Sequence, residues 1–249
     1  MYELSYIAPG GADQFDMFFG QDGPYIVLDS ISGLVGEFQD SPVQSVGVPG
    51  SRVDFRDRVV APMTGSFTLV VLSEEQWLRV RRAFSSRRYG QLVLTSEGRR
   101  FSAPVRLAQT LPTPGGEPKH GSTVAVSLVS DGEYGGVWSS HHASTDNLVT
   151  VTNLGDVPIW PEIIWEGAGG QVILPSGASF QLPQVDGRHS LPLARQNAGR
   201  VFSDAGLERE LSRQIGAVGE QVPVDESRQF QIPDGAELHW REGVLDPWI

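Results

Sequence analysis

The chain has 249 residues, 39% hydrophobic and 20% charged, with a formal net charge of −11 and no cysteine. The length fits one large β domain or two of ordinary size, and the apolar share excludes a chain that is disordered throughout. The acidic balance argues against a general nucleic-acid binder, and the missing cysteines exclude disulfides, thiol chemistry and Cys-based zinc sites.

In chain order, Tyr25–Leu28 is a short apolar stretch leading into Ile31-Ser32-Gly33-Leu34-Val35-Gly36, whose glycines predict a bent or bulged strand. Val43 to Pro49 ends at the turn signal Pro49-Gly50, and Gly65–Leu72 is β-branched and apolar, which predicts a strand. The next segment, 73–88, predicts a helix. Ser73 is a good N-cap, and Gln76 completes a capping box. Glu74 and Glu75 stand in the first turn and Arg87 and Arg88 in the last, as the helix dipole prefers. At 100° per residue Trp77, Val80 and Phe84 share one face, with Arg79 and Arg82 opposite. Gln91–Thr95 and Arg100–Ala108 flank Ser96-Glu97-Gly98, a hairpin with Gly98 in the left-handed position. Leu111–Gly121 is a loop. Val124, Val126 and Leu128 alternate along a strand, Ser122–Ser130, and the polar, Gly-rich run Asp131–Gly136 marks a domain boundary.

The second half reads as β. Leu148–Thr152 and Pro161–Glu166 are strands. Val172–Leu174 and Ser179–Leu182 flank Pro175-Ser176-Gly177, and Arg228–Ile232 and Ala236–Arg241 flank Pro233-Asp234-Gly235. Both pairs predict hairpins. Within 203–218, Leu207, Leu211 and Ile215 at spacing four fit either a short helix or an irregular loop.

Charge is unevenly spread. Residues 1–135 carry 15 acids against 12 bases, net −3, and residues 136–249 carry 15 against 7, net −8. Lys119 is the only lysine, so the other cations are arginines; these suit fixed bidentate pairs, although a GC-rich genome also favours Arg codons. The opening MYELSYIAPGG has neither a basic nor an apolar signal-peptide region, and apolar runs are as short as Leu69-Val70-Val71-Leu72. A protein made in the cytoplasm, without membrane insertion, is expected.

No residue set suggests catalysis, cofactor binding or metal binding. His141-His142 with Asp146 comes nearest to a cluster, but adjacent strand residues point to opposite faces, and a polar inter-domain loop is the better reading. No G-x-S-x-G, H-E-x-x-H, P-loop or dinucleotide fingerprint occurs. The group Arg79, Arg81, Arg82, Arg87 and Arg88 beside Trp77, Phe84 and Tyr89 could mimic a nucleic-acid stripe, yet those aromatics are needed for the buried helix face. Trp138, Trp160, Trp165, Trp240 and Trp248 are expected as core or interface anchors before sugar platforms.

Two stretches then read together. One runs from Ile31-Ser32-Gly33-Leu34 through Val48-Pro49-Gly50-Ser51-Arg52, the strand Phe67–Leu72, the helix and the Gly98 hairpin to Val126–Tyr134. The other is Val151 to Ile163, carrying Asn153-Leu154-Gly155-Asp156-Val157-Pro158-Ile159-Trp160-Pro161, followed by a hairpin and Asp186-Gly187-Arg188. Together they resemble the distal tail protein (Dit) family of long-tailed bacteriophages, in the minor-tail-protein form of phages that infect actinobacteria. The pattern departs at Gly132-Glu133-Tyr134, where many relatives read Asp-Pro-aromatic, and 195–222 fits loosely. The resemblance implies a mainly β protein. Residues 1–136 would be a split-barrel-like, ring-forming β domain with one packed α-helix, and residues 137–249 a galectin-like β-sandwich. It also implies a non-enzymatic hexameric ring at the distal end of the tail tube in the virion. Its partners would be the major tail tube protein, the tape measure protein, the tail-tip or tail-associated protein and a host surface glycan. A carbohydrate-binding module for host attachment and a cell-wall hydrolase are the alternatives.

Overall fold

Apolar side chains at every second position mark the strands of the N-terminal half, and the computed structural model shows them paired. It describes residues 2–18, 23–44, 46, 47, 49–54, 58–113, 121–197 and 199–249. Most of the expected 111–121 loop, with Lys119, and Val48 of the 43–49 segment lie outside the described residues. The chain divides into two compact units, Met1–Ser139 with Val244–Ile249, and Ser140–Gly243.

The first unit contains β1 (Tyr2–Ile7), β2 (Gln14–Asp16), β3 (Tyr25–Ile26), β4 (Ser32–Gly33), β5 (Phe38–Gln39), β6 (Val59–Val60), β7 (Met63–Val71), helix α1 (Glu74–Ala83), β8 (Gly90–Ser96), β9 (Arg99–Leu107), β10 (Ser122–Ser130) and the start of β11 (Trp138–Ser144). β1 runs antiparallel to β8, from Tyr2 opposite Ser96 to Ile7 opposite Gln91. β8 and β9 form the expected hairpin, with Ser96 opposite Arg99. Both Glu97 (φ 51°) and Gly98 (φ 80°) are left-handed, as a two-residue turn of type I′ requires. β10 pairs with β7 along its whole length and with the end of β9. Val124, Val126 and Leu128 on β10 face the core with Phe67, Leu69 and Val71 on β7, all at most 1% exposed. Each such side chain contributes about 1.5–3 kcal/mol by leaving water.

Helix α1 begins as expected. Ser73 Oγ accepts from Gln76 N–H at 3.2 Å, and the Gln76 side chain reaches back to accept from Leu72 N–H at 2.7 Å. It ends five residues earlier than predicted. Phe84 is extended and buried, and Ser85 Oγ accepts from Arg87 and Arg88 N–H, so these arginines lie in a turn beyond the helix. The stop is tertiary. Phe84 stacks on Tyr6 (centroids 4.0 Å apart), and Tyr6 O–H donates to the Ala83 carbonyl at 3.1 Å, filling an acceptor that the helix end leaves open. Burial raises the Tyr6 phenol's pKa, so it keeps its proton. Gly90 lets the sheet pass close to this contact, since a Cβ there would stand 2.4 Å from Tyr6 Oη.

The second unit holds the rest of β11 with β12 (Leu148–Thr152), β13 (Glu162–Gly167), β14 (Gly170–Ile173), β15 (Ser179–Leu182), β16 (Val185–Pro192), β17 (Val201–Ser203), β18 (Gly206–Glu208), helix α2 (Arg209–Ile215), β19 (Ser227–Gln231) and β20 (Ala236–Val244). Its strands form two antiparallel sheets. One has the order β12-β19-β14-β15, and the other contains β18-β17-β16-β13-β20. Val151, Val172 and Phe230 from the first meet Ile163, Leu191 and Leu238 from the second in one core, which makes a β-sandwich.

The β14–β15 hairpin forms as predicted, with Gly177 left-handed. The second expected hairpin does not form. β19 pairs with β12 and β14 while β20 pairs with β13, so Pro233-Asp234-Gly235 carries the chain from one sheet to the other. A turn signal marks a reversal but not which strand each arm joins. In the ambiguous stretch, Leu207 lies exposed on β18, whereas α2 directs Leu211 and Ile215 toward the sandwich core.

Candidate assembly surface

His141 and His142 are not in a loop but on β11. The strand sends them to opposite faces. His141 meets His239 edge-on at 5.2 Å, while His142 stacks on Trp240 at 5.5 Å with Nε2 3.6 Å from Glu242. Burial lowers the His141 pKa, and His239 and Arg241 push the same way. Asp146 accepts from Ser144 Oγ at 3.0 Å. Among the described residues no group of three or more His, Asp or Glu side chains could hold a metal ion, and no helix is long and apolar enough to cross a membrane.

The tryptophans separate by burial. Trp138 and Trp165 are core residues whose indole N–H groups donate to the carbonyls of Leu34 (2.9 Å) and Pro183 (3.0 Å). Trp248 packs edge-on against Trp138, and its carbonyl accepts from Tyr2 O–H, which ties the last residues of the chain into the first unit. Trp160 and Trp240 are half-buried, and Trp160 lies 6.0 Å beneath the Arg195 guanidinium.

The 153–161 run is a structural lock. Asn153 is fully buried; its amide donates to the carbonyls of Val157 (2.9 Å) and Val222 (3.0 Å) and accepts from Gly155 N–H (3.0 Å). Gly155 admits the end of β20, because a Cβ there would come within 2.4 Å of the Gly243 carbonyl. Asn153 and Gly155 thus shape the sandwich from within.

The first unit presents exposed apolar surface. The chain leaves the sheet at β5 and returns at β6, joined between by the bridge Val43–Arg52 and by the Asp40–Arg58 ion pair at 2.7 Å. The described residues of this excursion bury almost nothing, and Val43, Val46 and Val59 are 67%, 106% and 61% exposed. A two-stranded excursion of this kind is marginal in water without something to pack on. Nearby in sequence, Phe18, Ile26, Val27, Leu28 and Ile31 line an apolar depression of about 480 Å³. Sequence reasoning missed the excursion, because its apolar residues are isolated among polar ones and no periodicity marks them.

The helix arginines divide in two. Arg79 forms a two-pronged pair with Asp13, at 3.1 and 2.7 Å, over the Phe15 ring. It does not stand on a solvated face as the helical wheel suggests, because the loop before β2 folds up against α1. The Arg79 guanidinium in turn holds the Asp13 carboxyl below its usual range. Arg81 donates to the Pro112 carbonyl and lies over Trp77. Arg82, Arg87 and Arg88 are exposed and form no ion pair among the described residues. Leu78, one turn before Arg82 on α1, is 42% exposed.

No protein-family model matches the sequence, and no curated protein matches it. Solved structures do match over the whole length. The SPP1 Dit protein, described as a paradigm of the hub adsorption apparatus in phages that infect Gram-positive bacteria, superposes with a TM-score of 0.64 at 12% identity, covering 98% of this chain and 100% of that one. A chain of the phage P2 baseplate in its activated conformation with Ca gives 0.52 at 9% identity, covering 97% and 98%. The same baseplate with Sr gives 0.52 at 11%, with the same coverage. This chain therefore has, from end to end, the fold of phage distal tail hub and baseplate proteins.

Proposed function

We propose that this protein is a structural part of a phage tail: a distal tail protein whose N-terminal domain forms a hexameric ring joining the tail tube to the tail-tip, host-recognition apparatus. The observation that carries the reading is the end-to-end match to the SPP1 hub protein, which spans both units. On this reading the protein is made in the host cytoplasm and works in the virion, without catalysis. It contacts the major tail tube protein, the tape measure protein and the tail-tip protein. A closed ring needs a heterologous interface, in which one patch meets a different patch on the next copy. The exposed valines of the 38–60 excursion, and Arg82, Arg87 and Arg88, which form no ion pair among the described residues, supply apolar and cationic halves of such a contact. The charge division supports the N-terminal half as the ring, because the C-terminal half at net −8 repels its own copies and belongs at the periphery.

The test is native mass spectrometry of the full chain over a range of concentrations, with electron microscopy of assembled tails carrying labelled protein. Hexamers and label at the distal end of the tube are expected. A chain that stays monomeric at every concentration and leaves the tube end unlabelled refutes the proposal.

A further inference from the structure

Two histidines face each other across the pairing of β11 with β20. β20 sends Ala236 and Leu238 into the sandwich core, so Glu237, His239 and Arg241 stand on its opposite face. There His141 of β11 meets His239 edge-on, with ring centroids 5.2 Å apart. His239 is held in place. Its Nε2 lies 2.7 Å from Glu237 Oε2, and Arg188 approaches the same oxygen at 3.5 Å. A carboxylate only accepts, so His239 Nε2 carries a proton, and a further proton goes to Nδ1 and makes the ring a cation. The His239 side chain is 17% exposed, whereas His141 is open to solvent and can exchange protons freely.

The groups around His141 favour its neutral ring. β20 contributes His239 and Arg241, and β13 contributes one acid, Glu162, which stands directly opposite His239. Glu237 is already engaged by His239 and Arg188. On its own strand, His142 lies on the other face, stacked on Trp240 with Nε2 3.6 Å from Glu242. On its other side β11 pairs with β9 at Ser139 and Ser102; the charged residue of β9 two positions from that pair is Arg100, also a cation. Partial burial first, then the charges of His239 and Arg241, hold the His141 pKa below the ordinary imidazole value. An opened strand lacks these neighbours and takes up the proton at a higher pH than the paired strand. The pairing is therefore undisturbed above about pH 6.5 and weakens as pH falls from there through the lowered value.

We infer that His141 and His239 form an acid-operated release in the second unit: when both rings are charged they repel across the ladder, and β11 loosens from β20. The chain passes between its two units on these same strands, at Ser139–Ser140 and at Gly243–Val244, so the release acts on the strands that carry both crossings. His141, His239, Glu237, Arg188 and Glu162 all belong to the second unit, and the inference does not rest on ring assembly.

The test is amide hydrogen exchange of the full chain by mass spectrometry at about pH 7.5 and about pH 5, corrected for the intrinsic effect of pH on exchange. Exchange of the histidine ring carbon protons in the same samples gives the titration of His141. In the parent chain, the 140–144 and 237–243 segments are expected to open about three- to tenfold more at the lower pH, while β12 and β14 keep their protection. His141→Gln and His239→Gln, which remove one of the two charges, each lose this response. His142→Gln, on the other face, keeps it. In His239→Gln the His141 titration moves up toward the ordinary value. Four outcomes overturn the inference: no local opening in the parent at the lower pH; an equal loss of protection in β12 and β14, as general acid destabilisation gives; an acid response that persists in both His141→Gln and His239→Gln; or a His141 ring that titrates at or above about 6.5 in the parent.

Discussion

Replacing Asn153 separates hydrogen bonding from packing in the sandwich. The side chain is fully buried and makes three hydrogen bonds. In Asn153→Ala the Val222 carbonyl keeps a second donor, Ile159 N–H at 3.0 Å, and the half-buried Val157 carbonyl can turn to water. The main loss falls on buried Gly155 N–H, about 1–3 kcal/mol, with a smaller term for the vacated volume. A total of about 2–4 kcal/mol is expected. Asn153→Asp preserves shape yet places a carboxylate against two carbonyls to which it cannot donate, so at pH 7 it destabilises more than alanine does. Its folded-state pKa is then raised above the unfolded value of about 3.9, and the penalty grows as pH rises through the raised value. Lowering the pH to about 5 therefore recovers part of the loss in the aspartate variant and none in the alanine variant. Urea unfolding at both pH values, with the transition assigned to residues 140–243 by hydrogen exchange, measures each difference. An alanine variant within about 0.5 kcal/mol of the parent, or an aspartate variant no worse than alanine, refutes the assigned role.

Phe84→Ala removes a fully packed ring and costs about 3–5 kcal/mol, whereas Arg79→Ala costs about 1 kcal/mol through its pair with Asp13; urea melts rank the two. Because the Asp13 carboxyl is held low in the fold, that pair's contribution is present above the unfolded carboxylate's range. It is lost as pH falls through the lowered value, so the Arg79→Ala difference shrinks in acid. Gly90→Ala drives a methyl into Tyr6 Oη and the Ile7 carbonyl, 2.4 and 2.7 Å from the new Cβ, and lowers stability by about 2 kcal/mol or more in thermal melts. The triple reversal Arg82→Glu, Arg87→Glu and Arg88→Glu changes monomer stability little and abolishes hexamers in native mass spectrometry.

Local chemistry alone determined much of this protein. Alternation at 122–130, the β-branched run at 65–72 and the Ser73–Gln76 capping box depend on residues a few positions apart, so β10, β7 and the start of α1 could be read directly. The Glu97-Gly98 turn was legible for the same reason, since it joins adjacent strands. Tertiary structure decided what depends on distant partners. Helix α1 ends at Ala83 because Tyr6, 77 residues earlier, takes its terminal carbonyl. Arg79 is tied down because Asp13 folds over it. The Pro233-Asp234-Gly235 turn became a crossing between sheets because the partners of β19 and β20 lie 58 to 83 residues back in the chain. Trp165, His189 and Ser203 likewise become neighbours across β13, β16 and β17 only through strand register, which no local spacing reveals.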